Sequence, residues 1–251
     1  MSTVMNTFSL RAVDLAAPHW NGIDLGDIAV SLSRLPRCLG HTGSGAAFLG
    51  ARLRSWGGIW SVAQHSLYVR ELVEHFLPGT RPLPVARAYA LLHDAHEAYV
   101  GDLISPVKRL MRDRGFDFDA AIAAPIQRAI HESFVLPPSP HAEIARAVAD
   151  ADRAAWTVEE QIFLRCVDLG MAGRPLGDPP TLLGCPLPSV TLRQAAPEVI
   201  AELFENQVRA DLAAATRVIA GDIAAESALR LEAALARDAG GCWPGPASGG
   251  A

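Results

Sequence analysis

Two side chains that commonly ligate metals, His93 and Asp94, stand side by side in the middle of an apolar, helix-forming run from Tyr89 to Tyr99. An imidazole and a carboxylate inside a buried helix are costly unless a partner compensates them. A divalent cation would provide that compensation. We therefore expect the fold to bring further ligands to this helix.

The composition favours a helical protein. Of 251 residues, 50% are hydrophobic, and Ala, Leu, Arg and Glu, all good helix formers, are abundant. We expect an all-α fold, a single domain over residues 1–239, and a disordered Gly- and Pro-rich tail over residues 240–251. The four cysteines are far apart in the sequence, which argues against a structural zinc site or a disulfide framework.

Several classes of partner are disfavoured by the sequence. A net charge of −5 offers no broad basic surface, so we expect no duplex nucleic acid partner. No apolar run approaches the roughly 18 residues of a membrane span. The first residues lack the basic and apolar segments of a signal peptide, so the expected location is the cytoplasm.

Apolar periodicity, Gly and Pro divide the chain into elements. Helices are predicted over residues 27–35, 60–77, 84–100, 105–113, 117–135, 141–169, 195–219 and 221–238. A short strand is predicted near Phe8–Leu10. The Gly-rich segment 40–59 reads as an inserted loop or β-hairpin, and residues 170–188 as a loop.

Two more ligand candidates lie at helical positions on either side of His93 and Asp94, namely His65 and Asp152. Two His and two Asp form a mixed nitrogen and oxygen set, which favours one Mn²⁺, Co²⁺, Fe²⁺, Ni²⁺ or Zn²⁺ ion over Mg²⁺. Four protein ligands on an octahedral ion leave two positions for water and a substrate oxygen. Asp150 competes with Asp152 as the fourth ligand, although two residues apart on a helix they point in different directions.

The order His, His-Asp, Asp resembles the ligand order of the HD-domain phosphohydrolase superfamily. The resemblance is closest to its YfbR-like 5′-nucleotidase branch of bacterial and phage proteins, and it runs from about Asp14 to about Leu164. It rests on His93-Asp94-x-x-Glu97-x-x-x-x-Asp102-x-x-x-Pro106-x-Lys108, on Ser61-Val62-Ala63-Gln64-His65-Ser66, and on Ile28-Ala29-x-Ser31-Leu32-Ser33-Arg34-Leu35-x-Arg37.

This resemblance implies a role for each matching residue. The metal ligands would be His65, His93, Asp94 and Asp152, and the helical bundle would be of the HD-domain type. Glu97, one turn after His93, would be the catalytic carboxylate. Arg37 and Lys108 would bind phosphate, and Asp102 would contact the sugar hydroxyl region.

One departure concerns substrate recognition. Related proteins often carry an aromatic residue directly after the arginine, where this chain has Cys38-Leu39. A base-stacking contact would then have to come from elsewhere, and Trp56 and Trp60 are candidates. Arg52 and Arg54 in the insertion are candidates for contacts to additional phosphates.

The resemblance implies a (deoxy)nucleoside 5′-monophosphate phosphatase that releases a nucleoside and phosphate. Three alternatives remain: a deoxynucleoside triphosphate triphosphohydrolase, a non-catalytic nucleotide-binding module, and a structural helical protein with a satisfied buried ion pair. The partners expected are a small-molecule nucleotide and, by resemblance, a second copy of the chain in a homodimer.

Overall fold

The computed structural model describes residues 2–40, 60–161, 181–182, 184–186, 188 and 195–240, the last fifteen by their backbone alone. The predicted insertion at 40–59, apart from Gly40, lies outside these residues, as do Arg52, Arg54, Trp56 and the predicted tail beyond Gly240. The end of the helix predicted over 141–169 also falls outside them.

The described chain is mostly helical, which confirms the predicted all-α class. Its α-helices, among the described residues, are α1 (Leu25–Arg34), α2 (Val62–Phe76), α3 (Leu83–Leu92), α4 (Glu97–Val100), α5 (Ser105–Asp113), α6 (Ala124–Ser133), α7 (Ala142–Glu159) and α8 (Pro197–Gly240). Short 3₁₀ turns cover Trp20–Gly22 and Arg37–Gly40, and a π-turn at Asp119–Ala123 leads into α6. None of the described helices is long and apolar enough to cross a membrane.

The core lies around α2, which packs against α7 on one side and α3 on another, while α8 crosses α3 and α1. The largest side chains that are completely buried come from these helices and α6, and include Tyr68, Phe204, Ile28, Leu32, Leu72, Leu91, Leu92, Ile126, Ile130 and Ile200. His65, on α2, is buried among them. The core therefore holds the first ligand candidate rigidly.

Two small antiparallel hairpins accompany the helices in the part of the chain that the structure describes. In the first, β1 (Val4–Asn6) pairs with β2 (Ala12–Asp14), and in the second, β3 (Thr181–Leu182) pairs with β4 (Cys185–Pro186) within the predicted loop. The strand predicted near Phe8–Leu10 is wrong, because these residues form the turn of the first hairpin. Leu10 has φ of 62°, and Phe8 and Leu10 are exposed, so their apolar character does not mark a buried strand.

The two helices predicted around Gly221 are one continuous helix, α8. A glycine inside a helix costs only about 1 kcal/mol relative to alanine. The Ala-rich sequence on both sides of Gly221 outweighs this cost, so the glycine does not end the helix.

The helix predicted over 84–100 is interrupted at residues 93–96, between α3 and α4. The Gln127 side chain accounts for this break, because its amide takes the place of a ladder hydrogen bond. Its Nε2 donates to the Leu92 carbonyl at 2.7 Å, and its Oε1 accepts from the His96 backbone N–H at 3.3 Å. Side chains inserted into the ladder are a known cause of helix distortion, and here the distorted turn presents His93 and Asp94.

Candidate metal centre

The ligand candidates converge from three places in the fold. His65 comes from α2, His93 and Asp94 from the turn after α3, and Asp152 from α7. The ligand atoms of His65, His93 and Asp152 all lie within 4.8 Å of one another. Asp94 Oδ2 lies 3.7 Å from His65 Nε2 and 3.2 Å from His93 Nε2. The structure therefore brings the four residues together as two nitrogens and two carboxylates.

Both imidazoles are oriented by a hydrogen bond at Nδ1. His65 Nδ1 lies 2.8 Å from Glu159 Oε1, and His93 Nδ1 lies 2.7 Å from the Ala90 carbonyl oxygen. These oxygens accept, so each Nδ1 donates a proton, and each Nε2 faces the cluster, where the neutral imidazole would present a lone pair to a metal. Metal-ligating histidines usually have this arrangement, in which the second nitrogen is held by a carboxylate or a backbone carbonyl.

The cluster suits a divalent cation. Among the described residues, no hydrogen bond reaches the buried His93 Nε2, which is the atom that would ligate a metal. Burial alone would lower the pKa of His93, but Asp94 and Asp152 outweigh it and hold this pKa well above its ordinary value. Asp94 and Asp152 thus stabilise a positive charge beside His93. A metal ion held by His and Asp ligands would provide that charge.

The fourth ligand candidate in the cluster is Asp152, and Asp150 lies apart from the cluster. Asp152 Oδ1 is 3.0 Å from His65 Nε2 and 3.7 Å from His93 Nε2. Asp150 instead accepts a hydrogen bond from Arg153 at 2.9 Å on the exposed side of α7. The side-chain geometry therefore favours Asp152 over Asp150, the two alternatives that the sequence left open for the fourth ligand.

Arg37 lies against the cluster. Its Nη1 donates to Asp94 Oδ2 at 3.2 Å, and its Nη2 lies 3.1 Å from His65 Nε2. Backbone pairing explains this position, because the Arg37 N–H donates to the Trp60 carbonyl, and the Val62 N–H, at the start of α2, donates to the Leu35 carbonyl. A guanidinium with five donors, placed at the ligands, can also bind the oxygens of a phosphoryl group.

The turn after Arg37 is strained and is held by Asp102. Cys38 and Leu39 have φ values of 53° and 57°, in the left-handed region that residues with a side chain rarely adopt. The Cys38 backbone N–H donates to Asp102 Oδ2 at 2.8 Å. Strain of this kind concentrates at functional sites, and here it directly follows Arg37 in the chain.

Glu97 is buried beside the cluster. Its side chain is on α4, the residue is 4% exposed, and among the described residues no hydrogen bond reaches its Oε2. Burial, together with the negative charges of Asp94 and Asp102, raises the pKa of Glu97 to about 9. A carboxylic acid that keeps its proton at neutral pH can act as a general acid.

A cavity of about 870 Å³ adjoins the cluster. Its lining includes Arg37, Asp94, Glu97 and Asp152, together with Asp102 and Lys108 from the segment after α4. The Lys108 ammonium lies 3.1 Å from Asp119 Oδ1, so this cation is paired at the cavity wall. The four residues to which the resemblance assigned a catalytic or substrate-binding role, Arg37, Glu97, Asp102 and Lys108, therefore line the same cavity.

Glu159 also belongs to the site, although it was not among the residues predicted from the sequence. It is 1% exposed, accepts from Trp60 Nε1 at 2.9 Å, and holds His65 Nδ1. The signal that could have found it is the seven-residue spacing from Asp152, which places both carboxylates on one face of α7. Trp60, a candidate for base stacking, is 2% exposed and engaged with Glu159, so that expectation is wrong.

Replacing Glu159 by Gln is expected to lower the affinity for Mn²⁺ by about 10- to 100-fold, because the carboxylate that orients His65 becomes a neutral amide. Titration calorimetry with Mn²⁺ measures this. Glu143→Gln, in the exposed first turn of the same helix, is the matched control. Equal affinities of the two variants would show that Glu159 does not orient a ligand.

Comparison with known proteins identifies two relatives, and both are uncharacterized. No protein-family model matches the chain. An uncharacterized protein of Rhodobacter capsulatus is 36% identical over 153 residues, which cover 61% of this chain and 69% of the relative. The uncharacterized protein YfdR of Escherichia coli is 34% identical over 135 residues, covering 53% of this chain and 60% of that relative. A substantial part of both relatives therefore lies outside the match.

Proposed function

This chain belongs to the family of the uncharacterized Rhodobacter capsulatus protein, and we propose that it is a metal-dependent phosphohydrolase of the HD-domain type. The observation that carries the proposal is the cluster of His65, His93, Asp94 and Asp152 at the cavity that also contains Arg37 and Glu97. The favoured substrate is a (deoxy)nucleoside 5′-monophosphate. The favoured cofactor is one Mn²⁺, Co²⁺, Fe²⁺, Ni²⁺ or Zn²⁺ ion.

The ligand set fits such a cation, since both Nε2 atoms face the carboxylates and both Nδ1 atoms are already bonded. When bound, the cation would supply Lewis-acid activation of a phosphoryl oxygen and of the attacking water. His65, His93, Asp94 and Asp152 would hold it. The remaining chemistry belongs to protein side chains.

Arg37 and Glu97 carry out the remaining steps, which are phosphoryl binding and proton transfer. The Arg37 guanidinium binds and orients the phosphoryl oxygens, and its positive charge stabilises the negative charge that builds up there. Water attacks phosphorus, the bond to the 5′-oxygen breaks, and the Glu97 carboxylic acid protonates the leaving oxygen. The proton released by the water restores the acid on Glu97.

The alternative substrate is a deoxynucleoside triphosphate, cut at its α-phosphate with release of triphosphate. The cavity lining contains Lys108, Arg109 and Arg153 beyond the cluster, which are the kinds of residue that additional phosphates need. Lys108 and Arg153 already pair with Asp119 and Asp150. This pairing reduces their availability, and it favours the monophosphate.

Product analysis tests the proposal. Purified protein with Mn²⁺ is given dAMP and dATP in separate reactions, and metal-free protein prepared with a chelator is the control. We expect deoxyadenosine and orthophosphate from dAMP only with metal present. Triphosphate from dATP with dAMP untouched would replace the proposed substrate by the alternative. No turnover of either with Mn²⁺ or Co²⁺ would overturn the proposed nucleotide hydrolysis.

A further inference from the structure

One face of α7 forms a wall of the cavity. Ala149, Asp152, Arg153 and Trp156 all line it, and their spacing of three, four and seven residues places them on one side of the helix. Trp156 stands four residues after the ligand Asp152, which on a helix is a displacement of about 6 Å along the axis. The indole is therefore placed about one turn away from the metal cluster.

The indole is accessible from the cavity. Trp156 is 39% exposed, and it is the only aromatic residue that lines this cavity within the described part of the chain. The lining also includes the apolar side chains of Leu103, Ile104 and Pro106. The cavity lining thus combines the charged side chains at the cluster with apolar side chains and one aromatic surface.

We infer that Trp156 is the stacking platform for a planar ring in the substrate, and so a specificity-determining residue. This inference rests on the proposed function, because it assumes that a phosphoryl group occupies the cluster. A pentose separates the phosphorus and the base of a 5′-nucleotide by a distance similar to the separation of Asp152 and Trp156. The substrate class is therefore a phosphomonoester that carries an aromatic ring one sugar away from its phosphate.

The test compares dAMP with deoxyribose 5-phosphate, which has the same phosphate and sugar but no ring. Trp156→Ala is expected to raise the KM for dAMP by about 5- to 100-fold, the loss that follows from removing one stacking contact. The kcat/KM for deoxyribose 5-phosphate should stay within about 2-fold of wild type, and Trp156→Phe should restore most of the affinity for dAMP. Trp20→Ala, another exposed tryptophan outside the cavity lining, is the matched control.

Equilibrium binding of dAMP to the Mn²⁺-loaded proteins gives a second measurement that needs no turnover. Weaker binding by Trp156→Ala than by Trp20→Ala supports the platform even if wild type hydrolyses neither substrate, in which case only the proposed activity fails. An equal fall in kcat/KM for both substrates, equal dAMP binding by the two variants, or no dAMP binding by wild type would overturn the inference.

Discussion

Replacing Asp152 by Asn is expected to lower the affinity for Mn²⁺ by about 100-fold or more, since loss of a direct ligand exceeds the 10- to 100-fold effect of changing a residue behind one. The Asp152 carboxylate lies 3.0 Å from His65 Nε2 and 3.7 Å from His93 Nε2. Asn keeps the shape of the side chain but removes its negative charge. Because this side chain is 42% exposed, the substitution should not disturb the packing of α7, and the variant should fold.

Asp150→Asn is the matched control for this experiment. It makes the same chemical change two residues away on the same helix, at a carboxylate that pairs only with Arg153 among the interactions described for it. Its Mn²⁺ affinity should stay within about 2-fold of wild type. Titration calorimetry of both variants decides the assignment, and a larger loss for Asp150→Asn would show that the fourth ligand is Asp150 and not Asp152.

The sequence predicted the helices whose signals are local. Apolar spacing and breakers place α1, α2 and α5 within two residues of their observed bounds. The prediction failed where a distant residue decides the backbone. The break at 93–96 depends on the Gln127 amide, which comes from α6 and bonds Leu92 and His96. No property of the sequence around His93 indicates that this bond forms.

The site shows the same division between local and distant signals. His93, Asp94 and Glu97 belong to one short string, so their proximity could be predicted from the sequence. His65 and Asp152 were ligand candidates at distant helical positions, and the resemblance joined them to the same site. The contacts of Arg37 could not be predicted, because they depend on the pairing of its backbone with Trp60 across the residues between them.

Two residues of the site were within reach of the sequence but were missed. Trp156 and Glu159 follow Asp152 by four and seven residues, so the same helical periodicity that separates Asp150 from Asp152 puts them on the ligand face. When a metal-ligand candidate lies on a helix, the residues one and two turns away on the same face are therefore candidates for the site as well. Here the residue one turn away, Trp156, is a candidate for substrate contact, and the residue two turns away, Glu159, orients a ligand.

Replacing Glu97 by Gln is expected to lower kcat for dAMP by about 10²- to 10⁴-fold, the usual contribution of a general acid. The amide fills the same volume but cannot protonate the leaving oxygen. Since Glu97 is assigned no metal contact, the Mn²⁺ affinity should change by less than about 3-fold. The nearly unchanged Mn²⁺ affinity distinguishes the effect of Glu97→Gln on kcat from the effect of Asp152→Asn, which acts through metal binding.

The pH dependence of kcat gives the Glu97 assignment a second, independent measurement. Burial and the charges of Asp94 and Asp102 raise the pKa of Glu97 to about 9, so the acid is protonated at neutral pH and loses its proton as the pH rises. Wild-type kcat should therefore fall on the alkaline side. The fall should lie at or below pH 9, because a bound cation favours the ionised carboxylate and so lowers the pKa of Glu97. Glu97→Gln has no proton to lose, and its residual rate should lack this alkaline fall. An unchanged alkaline limb in the variant, or a kcat equal to wild type, would assign the proton transfer to another group.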